Sequence, residues 1–351
     1  MKKVTSLALG LAGLLTASLF SAQLPPAQAA SGPGGRDYPH GNVRSAVYAS
    51  GDLEHWIFEP IEPEPATAPV VVFFHGWSAM DPAIYAGWIE HLVRRGAIVI
   101  FPRYQASLVT PPDAFTPNAM KALEMALDEL SRPGHVDPDP SRFATVGHSA
   151  GGMLAANYAA VAADYGLPVP RAVLSAEPGK SWGVPEWAEI RLVDLSAIPA
   201  DTLLISLAGD LDTVALDVDA KRIFYEAKQV PLANKDYVLV RTDDYGWPDL
   251  FADHGAPASP GQVGSQASGS LDGGRGPRLV TRDRPKSPSA GWSFSDALDF
   301  YGFWKLFDGL MDAAFYGTNR EFALGDTPQQ RHMGVWSDGR PVRELVVSDQ
   351  P

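Results

Sequence analysis

The sequence predicts an α/β protein with a mostly parallel central sheet and helices on both faces. Three observations carry this. The runs Val70-Val71-Val72-Phe73-Phe74 and Ala97-Ile98-Val99-Ile100-Phe101 are continuously apolar, as strands buried on both faces are. Helical stretches of about 10 to 15 residues alternate with such runs, which makes the strands parallel neighbours joined by crossovers. The 351 residues, 45% hydrophobic and 20% charged, suit a single α/β domain with insertions.

Residues 1–30 are expected to lie outside that domain. Met1-Lys2-Lys3 is a basic start, residues 4–20 are apolar, and Ala27-Gln28-Ala29 is a small-x-small cleavage site. This is the layout of a secretory signal peptide, so the mature protein is expected to be secreted or periplasmic. Thr5, Ser6, Thr16 and Ser18 dilute the apolar run, which argues against a retained membrane anchor. The domain then occupies 31–351, and 31–42, rich in Gly, Pro and Ser, reads as a loose lead-in.

Two strands are expected over 43–50 and 54–60, forming a hairpin around Gly51-Asp52. Residues 60–69 hold Pro60, Pro63, Pro65 and Pro69 and read as a stiff surface loop before the first buried strand at 70–74. Asp81 suits an N-cap and Pro82 the first helical position, for a helix to about Arg95 that Gly96 ends. A strand over 97–101 and a helix over 116–130 follow. Further strands are expected over 142–146, 171–175, 202–207 and 236–241, with a helix starting just past Ser149. Residues 255–291 are dense in Gly, Ser and Pro and carry Arg275, Arg278, Arg282, Arg284 and Lys286. They read as a solvated insertion, with a basic cover over the site as the sharper alternative. Residues 294–316 read as an amphipathic helix, and Ser337-Asp338-Gly339 as a turn between short strands.

Composition excludes several functions. There is no cysteine, hence no disulfide framework and no thiol nucleophile. The formal net charge is −13, and the signal segment removes Lys2 and Lys3, so the mature surface is more acidic still. Such a surface repels phosphate backbones and anionic membranes; no nucleic-acid partner is expected. Asp210, Asp212, Asp217 and Asp219 form an acidic cluster without the spacing of a calcium loop and read as a solvated face. No spacing of histidine and carboxylate reads as a zinc site, and no Gly-rich phosphate loop is present. No metal or cofactor is expected.

The segment that carries chemistry is Gly147-His148-Ser149-Ala150-Gly151, a G-x-S-x-G sequence between a buried strand and a helix-forming run. A serine on such a turn has strained backbone angles and an exposed Oγ, and side chains at 147 and 151 would meet neighbouring backbone. A hydroxyl needs a base, and the base needs an orienting carboxylate. Asp210 and Asp212 follow the strand at 202–207, and His254 follows the strand at 236–241, both beyond the carboxyl ends where open α/β sheets place their sites. His148 lies within the turn, pointing away from Oγ. His75 follows the first buried strand, His332 lies past the last helix, and His135 sits in a surface loop.

With these residues the sequence resembles the α/β-hydrolase superfamily, nearest to small esterases, cutinase-like polyester hydrolases and dienelactone-hydrolase-like enzymes. The matching pieces are His75-Gly76-Trp77, Asp139-Pro140-Ser141-Arg142, the serine segment, Gly209-Asp210-Leu211-Asp212-Thr213-Val214 and Asp253-His254. The resemblance implies an α/β-hydrolase domain with Ser149 as nucleophile, Asp212 rather than Asp210 as the acid, and His254 as the base. It also implies an oxyanion hole from the backbone N–H groups of Trp77 and Ala150, with the Trp77 ring beside the acyl pocket. The absence of cysteine departs from dienelactone hydrolases proper, and from polyester hydrolases that close the site with disulfides. The short stretch between 175 and 202 leaves no room for a large cap domain.

The expected function is cleavage of a small or polymeric carboxylic ester through an acyl-enzyme. A peptidase or amidase using the same triad, and a non-catalytic binding protein on the same fold, are the rival readings. Trp77, Trp182, Trp187 and Trp247 line an open groove for hydrophobic esters or are scattered packing residues; the sequence allows both.

Overall fold

Strands that are apolar on both sides need a cover on each side. A computed structural model of the protein describes residues 23–261 and 295–351. Residues 1–22 of the expected signal peptide and most of the 255–291 insertion lie outside the described residues. The described strands are β1 (Asn42–Tyr48), β2 (His55–Ile61), β3 (Thr67–Phe74), β4 (Ile98–Pro102), β5 (Asp137–His148), β6 (Ala172–Ala176), β7 (Leu203–Gly209), β8 (Lys235–Val240) and β9 (Val346–Ser348). They form one sheet in the order β1-β2-β4-β3-β5-β6-β7-β8-β9. From β4 to β8 every neighbouring pair is parallel. The β1–β2 hairpin enters antiparallel and β9 closes the far edge antiparallel.

Alternation along each strand sorts its side chains into two cores. Val71, Phe73, Val99 and Phe101 face one cluster; Val70, Val72, Phe74, Ile98 and Ile100 face the other. The first is covered by α1 (Ala86–Arg94) and by a helical stretch, wide-turned over Leu298–Trp304, that runs into a long α-helix, Lys305–Tyr316. The second is covered by α2 (Phe115–Leu130), α3 (Ala150–Val161) and α4 (Val218–Glu226); with these labels the Lys305–Tyr316 helix is α5. Residues 150–160 of α3 are all buried, which explains their mostly small or apolar character; the buried amide of Asn157 is satisfied by the Arg191 carbonyl and the Val193 N–H.

Several expectations need correction. The helix expected from Asp81 begins as a 3-10 turn, Pro82–Tyr85, and becomes α-helical only at Ala86. The cause is a competing segment. The N–H groups of Gly87 and Trp88 donate to Ser259, while the carbonyls of Ala83 and Ile84 accept from Gly261 and Ser259. Pro60 and Pro69 lie inside strands rather than in a loop. β4 pairs with β2 only over His55 to Phe58, so Pro60 lies past that ladder; Pro69 sits where the β3–β5 register shifts.

The lead-in is not loose. Gly34 N–H donates to Asp308 Oδ2 at 2.7 Å, and Gln28 Nε2 donates to the Gly34 carbonyl and to Tyr38 Oη, each at 3.0 Å. Gly34 has φ +74°, and a Cβ there would lie 2.1 Å from the Phe300 carbonyl oxygen, so glycine serves close approach here. The chain is already docked at its first described residues: the carbonyls of Gln23 and Leu24 accept from Trp247 and Ser337 N–H groups.

Asp308 anchors this arrangement. It is fully buried, with His91 Nε2 at 2.9 Å and Arg95 Nε at 3.1 Å. Burial opposes its charge, but Arg95 and His91 outweigh burial and hold the carboxyl below its ordinary value. Removing one member of a buried charged set leaves the others uncompensated, so Asp308→Ala is expected to cost about 3–5 kcal/mol, read from urea midpoints. A carboxyl depressed in the folded state stabilises fully above its unfolded value, near pH 4, and less as pH falls through the depressed value. The gap between wild type and the variant is therefore expected to narrow below about pH 4.

Candidate active site

One residue separates β5 from α3, and that residue is Ser149. Its φ of 56° and ψ of −121° are costly for a residue with a side chain. The turn is held by Ser149 N–H donating to the Ala176 carbonyl at 2.9 Å and by Gly152 N–H donating to the Ser149 carbonyl at 2.9 Å. A Cβ on Gly147 would lie 2.0 Å from the Gly151 oxygen, and a Cβ on Gly151 2.0 Å from the Phe74 oxygen. Both glycines are therefore demanded by backbone packing.

Two loops bring partners to this serine. Past β7, Asp212 turns back and is buried. Its Oδ1 accepts from the N–H groups of Val214 at 2.8 Å and Ala215 at 2.9 Å, leaving Oδ2 for a partner. That partner is His254, whose Nδ1 lies 2.8 Å from Oδ2 and whose Nε2 lies 2.9 Å from Ser149 Oγ. Burial works against the Asp212 charge, but the bonds from His254 and the two amides overcome it and keep the carboxyl below its ordinary value. An ionised Asp212 fixes Nδ1 as the protonated nitrogen, which leaves the Nε2 lone pair facing Oγ. Asp210 is exposed and accepts from Thr242 N–H at 2.9 Å; it is a turn residue outside this chain of bonds.

His148 plays a different part. Tyr85 Oη accepts from Gly76 N–H at 2.9 Å and donates to His148 Nδ1 at 2.9 Å, while His148 Nε2 donates to the His254 carbonyl at 2.8 Å. Burial, reinforced by His254, pushes the His148 imidazole down to about 3. As a neutral ring it ties the loop at residue 76 to the backbone of His254. Tyr85 was not singled out in the sequence, where nothing in its spacing marks it. His75 is buried, stacks on Tyr104 with centroids 4.1 Å apart, and is held down to about 4 by burial. His135 is not a free loop residue: its Nδ1 lies 3.0 Å from Glu59 Oε2.

Glu177, also unmarked in the sequence, lies directly past β6 and beneath the same group. Its carboxyl is fully buried, with Oε2 3.8 Å from His254 Nδ1 and 3.7 Å from His148 Nε2. Among the described residues neither oxygen has a hydrogen-bond partner. Burial first, then Asp212 and Asp253, push this carboxyl well above its usual range. The available signal was its position one residue beyond a strand's carboxyl end.

A cavity of about 340 Å³ opens over Ser149 and His254, with apolar walls from Trp77, Ala79, Leu211 and Val214. Trp77 also packs edge-on against Phe115, with ring centroids 5.4 Å apart. The amides flanking Trp77 are engaged, Gly76 with Tyr85 Oη and Ser78 with Gln105 Oε1. Ala150 opens α3, where helical N–H groups have no acceptor within their own helix. Trp182, Trp187 and Trp247 do not line the cavity, and Trp187 and Trp247 are 75% and 67% exposed.

Two clusters bear on metal binding. One ligand atom each from His148, Glu177 and His254 lie within 4.8 Å of one another. The two imidazole nitrogens concerned carry the hydrogens that their carbonyl and carboxylate partners require, so neither presents a lone pair. The acidic cluster is dispersed, and Asp219, expected on a solvated face, is buried. It accepts from Ser181 N–H at 2.8 Å and also bonds Ser181 Oγ and Arg222.

A family model described as alpha/beta hydrolase fold matches residues 71–209. The chain has the α/β-hydrolase fold. The matched region holds the serine turn but ends before Asp212 and His254, whose places are known here from geometry alone. Over 231 residues the chain is 28% identical to the esterase LipI of Mycobacterium tuberculosis, covering 63% of this chain and 68% of that protein. Both findings support the α/β-hydrolase superfamily. Between β6 and β7 this hydrolase fold carries only two 3-10 turns, Glu186–Ala188 and Leu195–Ala197, and no large cap.

Proposed function

We propose that the protein is a secreted serine hydrolase that cleaves carboxylic esters by acyl transfer. The carrying observation is the unbroken chain of bonds from Asp212 through His254 to Ser149, on a turn that exposes Oγ to the cavity. His254 Nε2 takes the proton as Ser149 Oγ attacks the ester carbonyl. Asp212 holds the imidazolium that results, and the Trp77 and Ala150 amides stabilise the tetrahedral oxyanion. The proton then passes to the leaving alkoxide, and water, activated by the same imidazole, releases the acid.

The esterase relative favours the ester bond over the amide bond. The cavity is near the small end of ligand pockets, and its apolar wall suits a short acyl chain. The sequence's resemblance to cutinase-like enzymes extends the proposed substrates to hydrophobic and polymeric esters. Secretion rests on the composition of residues 1–30, with no stable membrane anchor after cleavage and no nucleic-acid partner. No helix among the described residues is long and apolar enough to cross a membrane. Cleavage after Ala29 would remove the carbonyls that hold Trp247, Ser337 and Tyr301, so N-terminal sequencing of the exported protein fixes the site.

The test is hydrolysis of p-nitrophenyl esters of increasing acyl length by wild type and Ser149→Ala. Butanoate is expected to turn over at least tenfold faster than hexadecanoate, and Ser149→Ala to turn over neither. Release of aminopeptide chromophores without ester turnover would transfer the proposal to an amidase.

A further inference from the structure

Glu177 is a buried acid beside His254 that the mechanism above does not use. A fully buried carboxyl with neither oxygen hydrogen-bonded is uncommon and calls for an explanation. Its place is built rather than incidental. The Glu177 backbone is held by its N–H donating to the Leu207 carbonyl at 2.8 Å, at a φ of 47° that residues with side chains rarely adopt. Space for the carboxyl comes from Gly209, where a Cβ would lie 2.8 Å from Oε1. Two carboxyls from two different loops thus converge on one N–H. Asp212 Oδ2 makes the bond at 2.8 Å, and Glu177 Oε2 waits at 3.8 Å, about 1 Å beyond bonding distance.

We propose that Glu177 is a reserve partner for His254, a positioning carboxyl that takes over the Nδ1 proton when Asp212 is lost or turned away. The proposal rests on reading Ser149, His254 and Asp212 as a triad. The groups facing Glu177 are Asp212 and Asp253, which carry negative charge, the neutral ring of His148, His254 itself and the buried hydroxyl of Tyr85. With Asp212 ionised, burial and the two aspartates keep Glu177 neutral, and a neutral carboxyl does not compete for the imidazole. Removing Asp212 removes one of those repulsions. Glu177 then releases its proton to solvent, and the carboxylate accepts the hydrogen bond from Nδ1–H. During attack the Ser149 proton moves to Nε2 and later to the leaving alkoxide, as before. Glu177 balances the imidazolium charge and exchanges no further proton.

The experiment measures p-nitrophenyl butanoate turnover from pH 6 to pH 10 for wild type, Asp212→Ala, Asp212→Ala/Glu177→Gln and Ser149→Ala. Losing the orienting carboxylate of a triad costs about 10⁴-fold where nothing replaces it. Asp212→Ala is expected to lose only about 100-fold at its best pH, with activity rising about tenfold per pH unit along an ionisation absent from wild type. Adding Glu177→Gln is expected to cost about another 100-fold and to abolish that limb. Equal activity and equal pH profiles in Asp212→Ala and the double variant would overturn the proposal. Turnover by Ser149→Ala would instead overturn the triad on which it rests. Asp212→Ser, whose hydroxyl can accept from an amide two residues on as the aspartate does, replaces the alanine variant in both comparisons if that variant does not fold.

Discussion

Replacing His254 with alanine is expected to lower kcat on an activated ester by about 10⁴- to 10⁶-fold while the protein stays folded. The size follows from the geometry. Nε2 lies 2.9 Å from Ser149 Oγ, and among the described residues no other imidazole nitrogen is hydrogen-bonded to that oxygen. His148, the nearest alternative, has both nitrogens engaged, with Tyr85 and with the His254 carbonyl, and its ring is too weakly basic to accept a proton near neutral pH. Folding is expected to survive because the His254 side chain is partly exposed and its backbone carbonyl, which anchors His148, remains. Circular dichroism and a thermal melt separate lost chemistry from lost structure. A folded variant with near-normal turnover would mean that another group deprotonates Ser149.

The second large effect is on the fold. Gly151→Ala is expected to destabilise by about 4–5 kcal/mol or more, a large part of a typical domain's stability. The added Cβ would lie 2.0 Å from the Phe74 oxygen and 2.5 Å from the His75 oxygen. Both are backbone atoms at the end of β3, which is hydrogen-bonded into the sheet between β4 and β5, so neither gives way cheaply. Gly302→Ala is the control, since the nearest atom to its Cβ would be Met333 Cε at 3.6 Å. That variant is expected to stay within about 1 kcal/mol of wild type, or to gain slightly from helix propensity. Urea midpoints of the two variants make the comparison. Equal stability would show that the turn does not need the close approach of α3 to β3.

Much of the fold was legible because its signals are local. A strand buried on both faces is written as a continuous apolar run, and β3 and β4 read that way. The serine turn is written in five consecutive residues. The order of Asp212 and His254 after Ser149 follows from which strands they terminate. What was not legible depends on contacts between distant segments. Glu177 stands in Ser175-Ala176-Glu177-Pro178-Gly179, just past the expected strand, where no local pattern marks it; only the convergence of the loops past β6, β7 and β8 buries it beside His254. Asp219 looked solvated because Ser181, its partner, lies 38 residues earlier. Gly34 looked loose because the carboxylate it binds is Asp308, at the far end of the chain. The short edge strand β9 carries too few residues to show alternation, and its pairing with β8 supplies the pattern instead.

The central claim is that Ser149 is a nucleophile activated by His254. The most direct measurement is covalent labelling with a fluorophosphonate, followed by peptide mass spectrometry of wild type and His254→Ala. The expected result is a single phosphonyl adduct on the peptide containing Ser149 in wild type, and labelling slowed by orders of magnitude in the variant. Labelling of a different residue, or equally fast labelling of Ser149 without His254, would contradict the account.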